Sequence, residues 1–114
     1  MSKRSPQLLL EDIIESAKKI LAYTEGFSYE QFLEDGRTVD AVIRNFEIIG
    51  EAANRLPEEI RDQYANIDWH RIRGFRNRIV HDYMGIDYNI VWLIKENFLP
   101  LLITEIRNIL PYEG

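Results

Sequence analysis

The sequence predicts an all-α fold, a compact antiparallel bundle of about four main helices with short helical turns between them. Apolar residues recur at helical spacing through each long segment, and capping residues, glycines and prolines punctuate those segments. No stretch alternates with period two for long enough to make a substantial strand. By length, residues 1–114 form a single domain, with no internal repeat, linker or low-complexity tract.

Ser5-Pro6 gives a cap and a first-turn proline to a helix whose inward stripe is Leu9, Ile13, Ile14, Ala17, Ile20 and Leu21. Gly26 ends it near Thr24. Ser28 with Gln31 resembles a capping box and opens a short helix through Phe32 and Leu33, which Gly36 breaks. A third helix is expected from about Thr38 to Leu56, with Val39, Val42, Ile43, Phe46, Ile49, Ala53 and Leu56 inward. Gly50, Ala52 and Ala53 form a small-residue patch that lets another helix approach. An interior glycine otherwise costs about 1 kcal/mol relative to alanine. Pro57 starts a helical turn ending near Tyr64. Asp68 caps the next helix, expected to begin at Trp69 and fade around Tyr83-Met84-Gly85. Asp87 caps the last long helix, which turns Ile90, Val91, Ile94, Phe98, Leu101, Leu102 and Ile109 inward and kinks at Pro100.

Apolar residues make up 46% of the chain, which excludes a disordered polymer. No apolar run approaches the roughly 20 residues that cross a bilayer. Lys3 and Arg4 precede only Leu8-Leu9-Leu10 before acids follow, so no secretory leader is expected. A cytoplasmic protein without a membrane partner is the expectation. Cysteine is absent, which excludes disulfides and thiolate metal sites. The net charge of −5 argues against simple electrostatic adhesion to nucleic acid, but the charge is unevenly placed. Between His70 and His81 lie Arg71, Arg73, Arg76 and Arg78 with no acid among them, while acids crowd at Glu11, Asp12, Glu15, Glu30, Glu34, Asp35, Glu58, Glu59 and Asp62. A solvated helix face is the plain reading of such a run. The exclusive use of arginine points instead to gripping phosphate in a fixed fork.

The segment Arg76-Asn77-Arg78-Ile79-Val80-His81-Asp82-Tyr83 sets a permanent cation, an imidazole and a phenol at fixed spacing. On one straight helix Arg76 and Tyr83 would share a face, with His81 about 140° round the axis from Arg76. A long arginine would bridge that gap if the helix loosens near Gly85. The plainer reading makes His81 a packed surface histidine and Tyr83 a half-buried aromatic with a wet hydroxyl. His70, three turns from His81, reads as structural or as a minor phosphate contact. Asp82 and Asp87 make no recognisable ligand set with His81, so no metal is expected.

Residues Arg76 to Tyr83 resemble the R-x-x-x-x-H-x-Y motif of HepT-like proteins in the HEPN superfamily. Ile48-Ile49-Gly50-Glu51-Ala52-Ala53 and Trp69-His70-Arg71-Ile72-Arg73-Gly74-Phe75-Arg76-Asn77 are also similar to that family, and the likeness covers nearly the whole chain. The resemblance implies a helical homodimer with two motifs meeting near its cleft. It further implies a metal-independent endoribonuclease without a cofactor, the toxin of a toxin–antitoxin pair. Its MntA-like nucleotidyltransferase partner would place AMP on the motif tyrosine. Arg76 and His81 would then be catalytic and Tyr83 the AMP acceptor.

The expected chemistry follows from the side chains. His81 takes a proton from a ribose 2′-hydroxyl, the oxygen attacks the adjacent phosphorus, and Arg76 steadies the charge on the phosphoryl oxygens. The products are a 2′,3′-cyclic phosphate and a 5′-hydroxyl, and DNA is excluded for want of the 2′-hydroxyl. Arg73 and Arg78 hold flanking phosphates, and Asn77 bonds a phosphate or base or else holds a backbone turn. Competing readings are a non-catalytic bundle that binds a nucleotidyltransferase and a module that senses nucleotide. Trp92, Tyr88, Phe98, Phe46, Phe75 and Trp69 exceed what a small bundle needs inside, which is consistent with a twofold dimer.

Overall fold

Ser5 opens α1 (Pro6–Thr24) by accepting the Leu8 amide on its hydroxyl, with Pro6 in the first turn as the sequence requires. The computed structural model describes residues 4–81 and 85–112, and the backbone alone at Arg76 and His81. Gly26 takes φ +79°, the left-handed conformation that lets the chain leave α1. The box of Ser28 and Gln31 is fully formed at α2 (Tyr29–Glu34). α3 (Gly36–Arg55) starts two residues before the expected Thr38, because Asp35 accepts the Thr38 amide and makes Gly36 the first helical residue. The Arg61 guanidinium of α4 (Glu58–Gln63) donates to the carbonyls of Ala53 and Leu56, which closes the C-terminus of α3.

The expected helix from Trp69 to Tyr83 does not form as one piece. α5 (Trp69–Arg73) ends at Gly74, and α6 (Phe75–Ile79) follows at once. A two-residue strand β1 (Val80–His81) then pairs antiparallel with β2 (Gly85–Ile86), so a small hairpin stands where sequence reading expected no strand. Each break has a local cause. At Gly74 the backbone leaves helical geometry, with φ −89° and ψ 3°. Val80, the first strand residue, is β-branched and suits an extended chain. Gly85 takes φ +74°, and the Asp87 amide donates to the Ile79 carbonyl at 2.7 Å, closing the hairpin at its base.

Asp87 caps α7 (Tyr88–Asn97), as expected. The expected kink at Pro100 is a full division, and α8 (Leu99–Ile109) begins after Phe98. Pro100 has no N–H to continue the ladder from α7 but fits the first turn of a new helix. Leu101 is 55% exposed, contrary to its expected inward position, and the division resets the helical phase that placed it inward. Ile14 and Ile90 are only half-buried.

α1 lies along α3 and α8, and α5 and α6 also pack on α3. The inward stripe of α3 is buried throughout. Phe46, Phe75, Phe98 and Trp69 are covered within the chain, and Trp92 packs on Phe32 and Tyr29. That removes most of the apolar surplus invoked for a dimer. No helix among the described residues is long and apolar enough to cross a membrane.

Candidate functional site

The arginine-rich segment rests on a rigid floor. Trp69 and Ile72 of α5 and Phe75 of α6 are buried, and the Trp69 indole donates to the Tyr64 carbonyl at 3.0 Å. Phe75 meets Phe46 and Phe98 edge-on, with ring centres 5.3 and 5.9 Å apart. Gly50 is the close-approach point that the small-residue patch predicted: a Cβ there would sit 3.4 Å from the Ile72 carbonyl. The polar face of α3 meets the α5 backbone at this point.

The resulting groove has a volume of about 570 Å³. α3 contributes Glu47, Gly50, Glu51 and Asn54, and α5 and α6 contribute His70, Arg73 and Asn77. A second hollow of about 610 Å³ adjoins it, with Asp68, Arg71 and Arg78 on its wall. The two share His70, Gly74 and Asn77 and so form one trough across the α5–α6 junction. Arg73, Asn77 and Arg78 are exposed, as phosphate-binding side chains must be. The Arg73 Nε donates to Asn54 Oδ1 at 3.0 Å, which fixes one edge of its guanidinium. Arg71 behaves differently from its neighbours. Its guanidinium lies 4.4 Å above the Phe98 ring, and its Nε is buried without a hydrogen-bond partner among the described residues.

Arg76 belongs to α6 and His81 to β1, where it pairs with Gly85. Helix geometry therefore does not relate the two, and the shared face of Arg76 and Tyr83 falls away with the helix. Tyr83 and Asp82 lie outside the described residues, as do the side chains of Arg76 and His81. His70 is exposed and lines both hollows. No group of three metal-ligating side chains occurs among the described residues. Sequence reasoning passed over Glu47 and Asn54. Their signal was the i, i+4, i+7 spacing of Glu47, Glu51 and Asn54, a polar stripe opposite the apolar one.

Comparison with known proteins gives a consistent answer. A protein-family model described as Ribonuclease HepT-like matches residues 13–109. A protein of Methanocaldococcus jannaschii, provisionally named an RNase, is 38% identical over 110 residues, covering 96% of this chain and 91% of its own length. A protein of Caldanaerobacter subterraneus with the same provisional name is 34% identical over 112 residues, covering 96% and 98%. A protein of Thermococcus cleftensis, provisionally named ribonuclease HepT, is 36% identical over 100 residues, covering 88% and 91%. No solved structure gives a significant match.

Proposed function

This chain belongs to the ribonuclease HepT-like family, and on that premise we propose that it is a metal-independent endoribonuclease, the toxin of a toxin–antitoxin pair. The observation that carries the reading is the acid-free run of arginines, mounted on a buried aromatic floor and bordering an open trough. Such a surface suits a polyanion whose backbone must be held still.

In this reading His81 is the general base toward the ribose 2′-hydroxyl. As the 2′-oxygen bonds to phosphorus, the bond to the 5′-oxygen of the next nucleotide breaks, leaving a 2′,3′-cyclic phosphate and a 5′-hydroxyl. The leaving oxygen takes its proton from water or from His81 of the partner subunit in a homodimer. Arg76 stabilises the charge on the phosphoryl oxygens, and an arginine off its position loses the bidentate geometry that makes it effective. Arg73, Asn77 and Arg78 hold the flanking backbone. Tyr83 is the AMP acceptor for an MntA-like nucleotidyltransferase. The added phosphate brings negative charge and bulk to the same short motif that carries Arg76 and His81, which opposes RNA binding. The protein acts in the cytoplasm, where its RNA and its antitoxin are.

The test is cleavage of end-labelled RNA by partner-free protein in EDTA, beside Arg76→Ala and His81→Ala, with analysis of the product ends. Cyclic-phosphate products that disappear in both variants support the reading. No cleavage by protein whose intact mass shows unmodified Tyr83 overturns it in favour of a partner-binding bundle.

A further inference from the structure

Among the described residues two arginines are half-buried, Arg61 and Arg71. They are held in opposite ways. The Arg61 guanidinium donates to the carbonyls of Ala53 and Leu56 and so belongs to the end of α3. Arg71 has no such acceptor among the described residues. Its guanidinium lies 4.4 Å above the Phe98 ring, and its Nε is buried and unpaired. Arginine does not shed its charge, and the ring attracts that charge without accepting a planar N–H fork. A half-buried guanidinium without an anion beside it is therefore an incomplete pair. With one face on a ring and Nε closed off, the fork is open to an anion at its Nη1–Nη2 end. Arg71 lines the α5–α6 hollow together with Asn77 and Arg78.

We propose that Arg71 is a substrate-gripping residue, taking the non-bridging oxygens of an internal RNA phosphodiester in the α5–α6 hollow, and that Phe98 is its positioning residue. This rests on the ribonuclease reading for its ligand. The two hollows of the trough differ in charge. The α3 side sets Glu47 and Glu51 against Arg73, whereas the α5–α6 side sets Arg71 and Arg78 against Asp68 alone. Asp68 makes no ion pair with Arg71 among the described residues, and its Oδ1 is spent on the Arg71 amide at 3.0 Å. An excess of one cation suits a phosphodiester, which carries a single negative charge, better than a doubly charged terminal phosphate. The ring makes the grip effective. A free arginine must give up its rotamer freedom when it binds, and a stacked one has already done so. Phe98 itself meets Phe75 edge-on, so the plate beneath Arg71 is continuous with the aromatic floor. Arg73, tied to Asn54, is the fixed fork of the other hollow. An RNA backbone lying in the trough thus meets two guanidinium groups whose positions are set before it arrives.

The experiment measures binding rather than cleavage. Fluorescent 2′-O-methyl uridine hexanucleotides, with and without a 5′-phosphate, cannot be cut and are titrated by anisotropy at several salt concentrations. The proteins are wild type, Arg71→Met, Arg71→Lys and Phe98→Leu, with thermal melts confirming that each is folded at the assay temperature. Arg71→Met is expected to bind both probes about tenfold more weakly, the size of one charge-assisted contact. Its slope of log affinity against log salt should fall by about 0.7, the share of one phosphate on a single strand. Arg71→Lys keeps the charge but loses the fork and the stack, and Phe98→Leu keeps the arginine but loses its plate. Both are expected to weaken binding about threefold or more with the slope retained. Arg71→Met with wild-type affinity and slope overturns the proposal, since the arginine would then only pack on Phe98. Full rescue by lysine overturns the fork geometry, and wild-type affinity in a folded Phe98→Leu overturns the positioning role. A loss confined to the 5′-phosphorylated probe overturns the internal phosphodiester in favour of a terminal one. Binding that depends on Arg71, in a protein that cuts no RNA in EDTA, supports the subsite and sinks the ribonuclease reading. Cleavage unaltered in Arg71→Met, with affinity also unaltered, sinks the subsite and leaves the ribonuclease standing.

Discussion

Replacing Phe75 by alanine tests whether the arginine segment owes its position to the aromatic floor. Phe75 is wholly buried and meets two other rings edge-on. Truncating a buried phenylalanine to alanine costs about 3–5 kcal/mol in transfer and cavity terms. With two ring pairs lost as well, the upper half of that range is expected. For a chain of 114 residues the unfolding entropy at about 2.1 cal/mol/K per residue makes each kcal/mol about 4 °C of Tm. A fall of about 15–20 °C follows. Phe75→Leu keeps most of the volume and loses the ring edges, so about 1.5 kcal/mol, or roughly 6 °C, is expected. The assay is thermal and denaturant unfolding at one fixed protein concentration, since self-association would shift Tm by mass action. If Phe75→Ala melts within about 4 °C of wild type, the floor is not a cooperative part of the core and the argument for a rigid platform fails.

Other perturbations separate stability from function. Gly85→Ala forces an L-residue to φ +74°, at about 1–2 kcal/mol. Because Gly85 pairs with His81, RNA cleavage should fall further than the melting temperature suggests, and equal losses would refute that link. Gly50→Val drives a branched side chain toward the Ile72 carbonyl and should cost about 1–3 kcal/mol by denaturant titration. A neutral result would show that α5 does not depend on the close approach. Arg78→Ala should weaken binding of every RNA sequence alike and lower the slope of log affinity against log salt by about one, measured by anisotropy. A change confined to one sequence would contradict a backbone contact. Asp68→Ala removes the side chain that accepts the Arg71 amide at 3.0 Å and should cost about 1 kcal/mol.

The helices that are legible in the sequence are those whose ends are marked by side chains. Ser5, Ser28, Asp68 and Asp87 each cap where they were expected to, because a capping oxygen acts within three residues and leaves a local signature. The segment after Trp69 was misjudged for the opposite reason. Its hairpin depends on Gly85 and Asp87 folding back to His81 and Ile79, a contact between residues that helical periodicity does not relate. The same holds for the site. The arginines were visible as a run of one residue type, whereas the wall opposite them comes from α3, some 20 residues earlier, and becomes part of the trough only when α5 packs on α3. His70 looked idle because its neighbours in sequence do not reveal the trough beside it.

The split of the motif between α6 and a two-residue ribbon has a kinetic meaning. A ribbon this short has little stability of its own and draws it from the Asp87–Ile79 closure and from neighbouring helices. Arg76 and His81 therefore belong to units that open with different free energies, and amide exchange at His81 and Gly85 should outpace exchange in α6. The fraction of time the ribbon is closed then multiplies any rate that depends on His81. A ligand that clasps the ribbon would raise the turnover of an intact enzyme without touching the reacting atoms, and one that pries it open would silence the enzyme while the bundle stays folded.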